Sequence, residues 1–155
     1  MVARREFSAG ALVVRRMRGR WWFAAVRPRG KPPGTWALPK GLIAAGERGV
    51  AAALREAEEE TGIRPELVSK IGDIRYVYTW QGDRVFKVVS FFLARAAGGR
   101  IGELPVGMEI EIAESRWLPL EEAAALLAYK GERETAAKGL ELLEAGTGSA
   151  ERHPV

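Results

Sequence analysis

Three observations predict an α/β domain or α+β sandwich. Strand-like apolar runs lie on both sides of the chain's middle, one strongly acidic helix lies between them, and two helical stretches follow near the C-terminus. A length of 155 residues suits one domain with one core. The hydrophobic share of 47% and charged share of 28% are ordinary for a globular chain. The expected organisation is a single domain over residues 1–145 and a flexible tail over 146–155. Pattern alone does not give the order of strands in the sheet.

Taken in order, residues 7–17 and 21–27 read as two strands joined by a turn at Arg18-Gly19-Arg20, a hairpin. Residues 29–34, with two prolines and two glycines, form a loop. Thr35–Pro39 returns to extended structure and places Lys40 against Gly41, where the acidic segment begins. Beyond that helix, residues 68–80 and 85–94 form a second strand pair around the turn Gln81-Gly82-Asp83-Arg84, followed by a flexible glycine-rich stretch at 97–102. A short strand at 110–118 precedes a helix from Pro119 to about Tyr129. A last amphipathic helix over roughly 132–144 turns Leu140 and Leu143 inward.

The acidic helix carries the chemistry. With about 100° of rotation per residue, Glu60 falls about 40° and Glu59 about −60° from Glu56, so the three share one face. Glu58 points about 200° away, near the side where Val50, Leu54 and Ala57 would meet a core. Convergent carboxylates repel one another unless a cation lies among them, and a hard divalent ion with oxygen ligands, Mg²⁺ or in its place Mn²⁺, suits them. The bland alternative is a solvated acidic face. Against it, Gly41 and Gly46 bracket a loop able to approach a ligand closely. Arg55 stands four residues before Glu59, within reach of the acids or of Glu47. Ala52 and Ala53 leave space beside the carboxylates, and Gly62 fits a left-handed helix cap.

The segment Gly41–Ile63 resembles the Nudix box, G-x5-E-x7-R-E-U-x-E-E-x-G-U with U aliphatic: Gly41, Glu47, Arg55, Glu56, Glu59, Glu60, Gly62 and Ile63 match without insertion or deletion. Ala57 is smaller than the usual aliphatic residue. The resemblance implies a Nudix α/β/α sandwich, a mixed β-sheet between helices with the box as a loop–helix–loop along one side. It also implies Mg²⁺-dependent hydrolysis of a phosphoanhydride, with Glu56 and Glu60 as the firmest metal ligands, Glu59 as ligand or base, and Arg55 with Glu47 as the positioning pair. In several branches a further glutamate precedes the strand ending in R-W-L. Here Glu111 sits where the diadenosine-tetraphosphate hydrolases carry theirs, as metal ligand or base. Glu109 is its rival on the same side of an extended strand, and a polar edge alternation is the alternative for both.

Composition excludes other chemistries. With no cysteine and one histidine, His153, near the end of the chain, thiol nucleophiles, catalytic triads and multi-histidine metal sites are not available. The P-loop pattern G-x4-G-K-[ST] is absent. Without a signal peptide or long apolar run, a soluble cytoplasmic protein with no membrane partner is expected. Residues 1–40 hold ten basic side chains against one acid, Glu6. For Arg4, Arg5, Arg15 and Arg16 a solvated surface is the preferred reading. Arg27, Arg29, Lys31 and Lys40 are equally readable as surface or as phosphate contacts.

The lead-in GTWALPKG resembles that of the dinucleoside-polyphosphate and diphosphoinositol-polyphosphate hydrolases and of some oxidised-nucleotide sanitisers, which implies a phosphate contact for Lys40. Trp36 reads as a base platform or as core. Tyr76, Tyr78 and Trp80 share a strand face, with Phe86 across the turn, and form either a stacking surface for a base or a cross-strand cluster. A dinucleoside polyphosphate is the favoured substrate. An oxidised nucleotide, an inositol pyrophosphate, an RNA 5′ end and a non-catalytic nucleotide-binding module are the alternatives.

Overall fold

The apolar run Ser8–Val14 is buried throughout, the signature of a strand covered on both faces. In the computed structural model, which describes residues 3–152, this run lies in β1 (Ala3–Met17), near the centre of a six-stranded mixed sheet. The other strands are β2 (Arg20–Pro28), β3 (Lys40–Leu42), β4 (Ile63–Trp80), β5 (Asp83–Gly99) and β6 (Ile112–Pro119), in the order β4-β5-β1-β2-β6 with β3 added against β1. The pairing of β1 with β5 is parallel and the others are antiparallel.

Alternation along β1 divides the core in two. Leu12 and Val14 join Phe23, Leu38, Phe91 and Leu93 under the C-terminal helices. Those helices are α2 (Ala123–Leu126) and α3 (Lys130–Arg152), and Leu143 on α3 faces this core as expected. Ala9, Ala11 and Val13 face the acidic helix α1 (Gly49–Thr61). The result is the α/β/α arrangement that the sequence predicts. The small Ala57 is fully buried against Ala11, Val13 and Ala24, so small side chains on helix and sheet permit close approach.

Several boundaries differ from expectation. Both hairpins turn on two residues, Arg18-Gly19 and Gln81-Gly82, each with positive φ as a tight type I′ connection requires. Strand β4 starts at Ile63, not 68, because Gly62 caps α1 at φ 82° and feeds the chain directly into the sheet. Ala97–Gly99, expected to be flexible, continues β5, with Ile63 opposite Gly99. The single helix expected from Pro119 to Tyr129 is a 3₁₀ turn and the short α2. It ends at Leu127, whose extended backbone lets Ala128 N–H donate to the Trp36 carbonyl. Helix α3 passes through the expected tail as far as Arg152, and residues 153–155, with His153, lie outside the described residues. Among the described residues no helix is long and apolar enough to cross a membrane.

Candidate active site

The inward face of α1 is Ala52, Ala53 and Ala57 together with Glu60. This corrects two expectations. Val50 and Leu54 are only partly buried and Glu58 is exposed, while Ala52 and Ala53 are fully buried and pack on Ala9 in the core. A helix seated so closely carries its acids to the edge of β3. A Cβ on Gly41 would fall on the Glu56 carboxylate, so only glycine leaves that carboxylate where it stands.

Arg55 is the hub of the acidic face. Its Nε and Nη2 grip the Glu47 carboxylate at 2.8 and 3.0 Å, a bidentate fork, and Nη1 reaches Glu56 at 3.1 Å and Glu59 at 3.2 Å. Glu47 Oε1 also accepts from Ala44 N–H at 3.0 Å, tying down the loop ahead of the helix. The Arg55 hydrogen bonds, then the Ala44 amide, hold the Glu47 carboxyl down at about 2. Glu47 in turn raises the already high pKa of Arg55.

Glu60 is the opposite case. It is only 6% exposed and hydrogen-bonds to Glu56. Burial first, then the adjoining Glu56 carboxylate, push its carboxyl up to about 9, while the Lys40 ammonium opposes the shift. Two carboxylates pressed together away from water must share a proton or accept a cation, so the pair fits a divalent ion. Glu59 is turned instead to Arg55, and among the described residues no three carboxylates form a ready cage.

Two cavities meet at Lys40. The smaller, about 290 Å³, is lined by Glu60, Glu111, Lys40, Lys87, Gly41 and Ser8. The larger, about 470 Å³, is walled by Ile74, Tyr76, Val89, Phe91 and Tyr129. Lys40 Nζ lies 2.8 Å from Glu132 Oε2, and the buried Glu132 also accepts from Leu38 N–H through Oε1 at 2.6 Å.

The remaining candidates separate. Glu111 faces the smaller cavity with Glu60, although it comes from a turn. Residues 108–110 form a 3₁₀ turn that Glu111 caps, so the extended alternation expected for Glu109 and Glu111 does not exist. Glu109 folds back to accept from Gly107 N–H at 2.9 Å, and its carbonyl binds Arg29 at 2.7 Å. Tyr76 lines the larger cavity, 44% exposed, with its ring 6.1 Å from that of Tyr78. Tyr78 donates its hydroxyl to Glu6 at 2.9 Å. Phe86 pairs with Val77 and therefore points to the other sheet face, so it does not extend the tyrosine row. Trp36 is 6% exposed within the core, under the guanidinium of Arg116 at 5.4 Å, which matches packing and not a base platform. Arg27 is engaged by Glu114 at 3.3 Å and the Lys31 carbonyl at 3.0 Å, and lines neither cavity.

Sequence reasoning missed Glu132, Lys87, Tyr129 and Ser8. Ser8 alone carried a signal, as one hydroxyl inside the doubly buried run of β1.

A mixed sheet between helices, with a Gly41-seated acidic helix cross-braced by Arg55, defines a class of protein. The NUDIX domain family matches this chain over residues 4–139, and the chain belongs to that family. The mutator protein named MutT4 of Mycobacterium tuberculosis is 39% identical over 109 residues, 70% of this chain and 42% of the relative. The asymmetrical bis(5′-nucleosyl)-tetraphosphatase of Mus musculus is 32% identical over 108 residues, 70% of this chain and 71% of the relative. Among solved structures, a C. elegans Ap4A hydrolase binary complex superposes with a TM-score of 0.69 at 25% identity, covering 90% of this chain and 98% of that one. The chain spans about half the length of two curated relatives it matches, 42% and 54%.

Proposed function

We propose that this chain is a metal-dependent pyrophosphohydrolase that cleaves a phosphoanhydride in a nucleoside diphosphate-linked substrate, with a dinucleoside polyphosphate as its best substrate. One observation carries this reading: Lys40 lines both the smaller cavity, which holds Glu60, Glu111 and Lys87, and the larger, mainly apolar one. A nucleoside needs apolar walls and a stacking surface, which Tyr76, Tyr129 and Phe91 offer. A polyphosphate needs cations beside the carboxylates that hold its metal, and Lys40 and Lys87 stand there.

Glu56 and Glu60 would hold Mg²⁺, with Mn²⁺ as a substitute, and Glu59 and Glu111 complete the set once Glu59 leaves Arg55. The ion supplies charge neutralisation at the phosphoryl oxygens and a lowered pKa for bound water. Lys40 orients the phosphate chain. Glu111 or Glu59 takes the proton of the attacking water, whose oxygen bonds to phosphorus as the bridging P–O bond breaks. Arg55 and Glu47 keep the helix in place during the exchange.

The test is product analysis by anion exchange after incubation with Mg²⁺ and a substrate panel. The panel holds diadenosine tetra- and hexaphosphate, oxidised and normal dNTPs, ADP-ribose, an inositol pyrophosphate and triphosphorylated RNA. Asymmetric cleavage of a dinucleoside polyphosphate, always leaving ATP or ADP, is expected. Far faster turnover of an oxidised dNTP or ADP-ribose would overturn the substrate and leave the reaction class standing.

A further inference from the structure

Buried hydroxyls in folded proteins nearly always find a partner, and one that does not calls for an explanation. Ser8 is 2% exposed, and its Oγ has no hydrogen-bond partner. Among the described residues the other orphan of this kind, Asp73 Oδ1, has the Lys70 ammonium 3.0 Å away, so Ser8 is the clearer exception. It sits on β1 opposite Leu42 on one side and Val89 on the other, and it lines the smaller cavity with Lys40, Lys87, Glu60 and Glu111.

Packing offers no reason for the hydroxyl. Its near neighbours Ala9 and Ala11 are fully buried in the same strand with no polar side-chain atom. An alanine at position 8 would avoid burying an unpaired polar group, which is unfavourable to folding. A serine kept there at the expense of stability belongs to a site whose partner arrives from outside. The cavity identifies that partner. Two lysines supply positive charge, Glu60 and Glu111 supply oxygen ligands for a cation, and a hydroxyl donor between them suits an anionic oxygen.

We infer that the Ser8 hydroxyl is a substrate contact, donating a hydrogen bond to a phosphate oxygen held in the cavity that Lys40 and Lys87 also line. This rests on the phosphoanhydride reading above and adds to it a residue outside the acidic helix and its lead-in. Because the donor meets a charged acceptor out of bulk water, its loss weakens binding more than loss of a neutral hydrogen bond would.

The test compares wild type, Ser8→Ala and Ser8→Thr in two assays. The first is steady-state hydrolysis of diadenosine tetraphosphate with Mg²⁺. The second is the rise in melting temperature on adding magnesium pyrophosphate. Without ligand, Ser8→Ala is expected to melt at or above the wild-type temperature. Its KM rises about tenfold, about 1.4 kcal/mol at 25 °C, and the pyrophosphate-induced shift shrinks. Ser8→Thr restores both. A KM within twofold of wild type together with an undiminished shift would overturn the inference. So would a ligand-free Ser8→Ala protein that melts several degrees lower, since the hydroxyl would then have a structural partner. If wild type does not cleave the dinucleoside, the substrate reading fails on its own, and the pyrophosphate titration still decides the role of Ser8.

Discussion

The ammonium of Lys40, beside the acidic helix in sequence, is held 2.8 Å from the carboxylate of Glu132 on the last helix. Lys40 is 27% and Glu132 5% exposed at the side chain, so the pair is largely out of water. Glu132 also accepts from Leu38 N–H, which makes α3 a brace for the strand that carries Lys40 to the two cavities. Removing Glu132 leaves the Leu38 amide without its acceptor and the Lys40 ammonium with only the Leu38 carbonyl, 3.4 Å away. Glu132→Ala is therefore expected to destabilise the fold by about 2–3 kcal/mol. Glu132→Gln retains an acceptor for Leu38 but loosens Lys40, so it should raise KM with a smaller stability change. Urea denaturation beside KM measurement checks both, and an unaltered midpoint in Glu132→Ala would reject the brace.

Glu60 makes a prediction about protons. Its carboxyl is raised to about 9 from an ordinary 4.5, so the folded chain keeps a proton that the unfolded chain loses. Without metal, the Glu60 contribution to stability is therefore fully present below about pH 4.5 and is lost as pH rises toward 9, where Glu60 ionises in the fold. A divalent ion held by the proposed ligands Glu56 and Glu60 would need the ionised pair, so its uptake is expected to release that proton and its affinity to grow with pH over the same window. Calorimetry in buffers of different ionisation enthalpy should show proton release near neutral pH. Metal affinity that does not change with pH across this window would contradict the arrangement. Glu60→Gln should also reduce turnover at least a hundredfold, about 3 kcal/mol.

Gly41 gives the sharpest steric prediction. A Cβ there overlaps the Glu56 carboxylate, so Gly41→Ala must displace that carboxylate, whether the side chain turns or β3 and the helix move apart. Small displacements of a catalytic group are costly, on the order of a hundredfold in rate for about 1 Å. Gly41→Ala is expected to lose turnover on that scale while its far-ultraviolet circular dichroism stays close to wild type. Full activity in this variant would mean that the close approach of Glu56 has no functional weight.

What the sequence revealed and what it hid follow from how local each feature is. Arg55 and the three acids Glu56, Glu59 and Glu60 lie on one helix, where helical geometry brings them together, and Gly41 and Glu47 lie in the short strand and loop just ahead of it. The apolar run of β1 showed itself because burial on both faces removes polar alternation. The turn before β6 was hidden, because Met108–Ile110 reads as well in extended form and is bent by the left-handed Gly107 and the fold-back of Glu109. Glu132 was hidden for a stronger reason. Its partners Leu38 and Lys40 come from another element, and a glutamate in the first turn of a helix is ordinary in isolation. The environment of Trp36 depends likewise on Arg116 and Leu127, which only the folded sheet brings to it.

The Arg55–Glu47 fork links acid stability to activity. Glu47 is lowered to about 2 from 4.5, so its contribution is present above about pH 4.5 and is lost as pH falls through 2. Glu47→Gln should flatten that acid limb in a plot of melting temperature against pH. Arg55→Lys keeps the charge but not the two-pronged geometry, and it is expected to lower kcat about tenfold, about 1.4 kcal/mol, with little change in KM. A Lys variant with wild-type kcat would show that charge alone is sufficient.

The two tyrosines should differ, and the difference tests the nucleoside half of the proposed site. Tyr76 borders the larger cavity beside Tyr129, so its ring is available to a base. Tyr78 lies outside that cavity's lining and spends its hydroxyl on Glu6. Removing a stacking aromatic costs about 1–3 kcal/mol per base. Tyr76→Ala is accordingly expected to raise KM for diadenosine tetraphosphate at least fivefold, with kcat changing less. Tyr76→Phe should preserve KM, since stacking needs the ring and not the hydroxyl. Tyr78→Phe should leave KM near wild type and lower the melting temperature slightly through loss of the Glu6 hydrogen bond. Pyrophosphate binding, read by the same thermal shift, should not change in Tyr76→Ala, because that ligand has no base. If pyrophosphate and dinucleoside affinities fall together, Tyr76 shapes the phosphate cavity and the base must stack elsewhere.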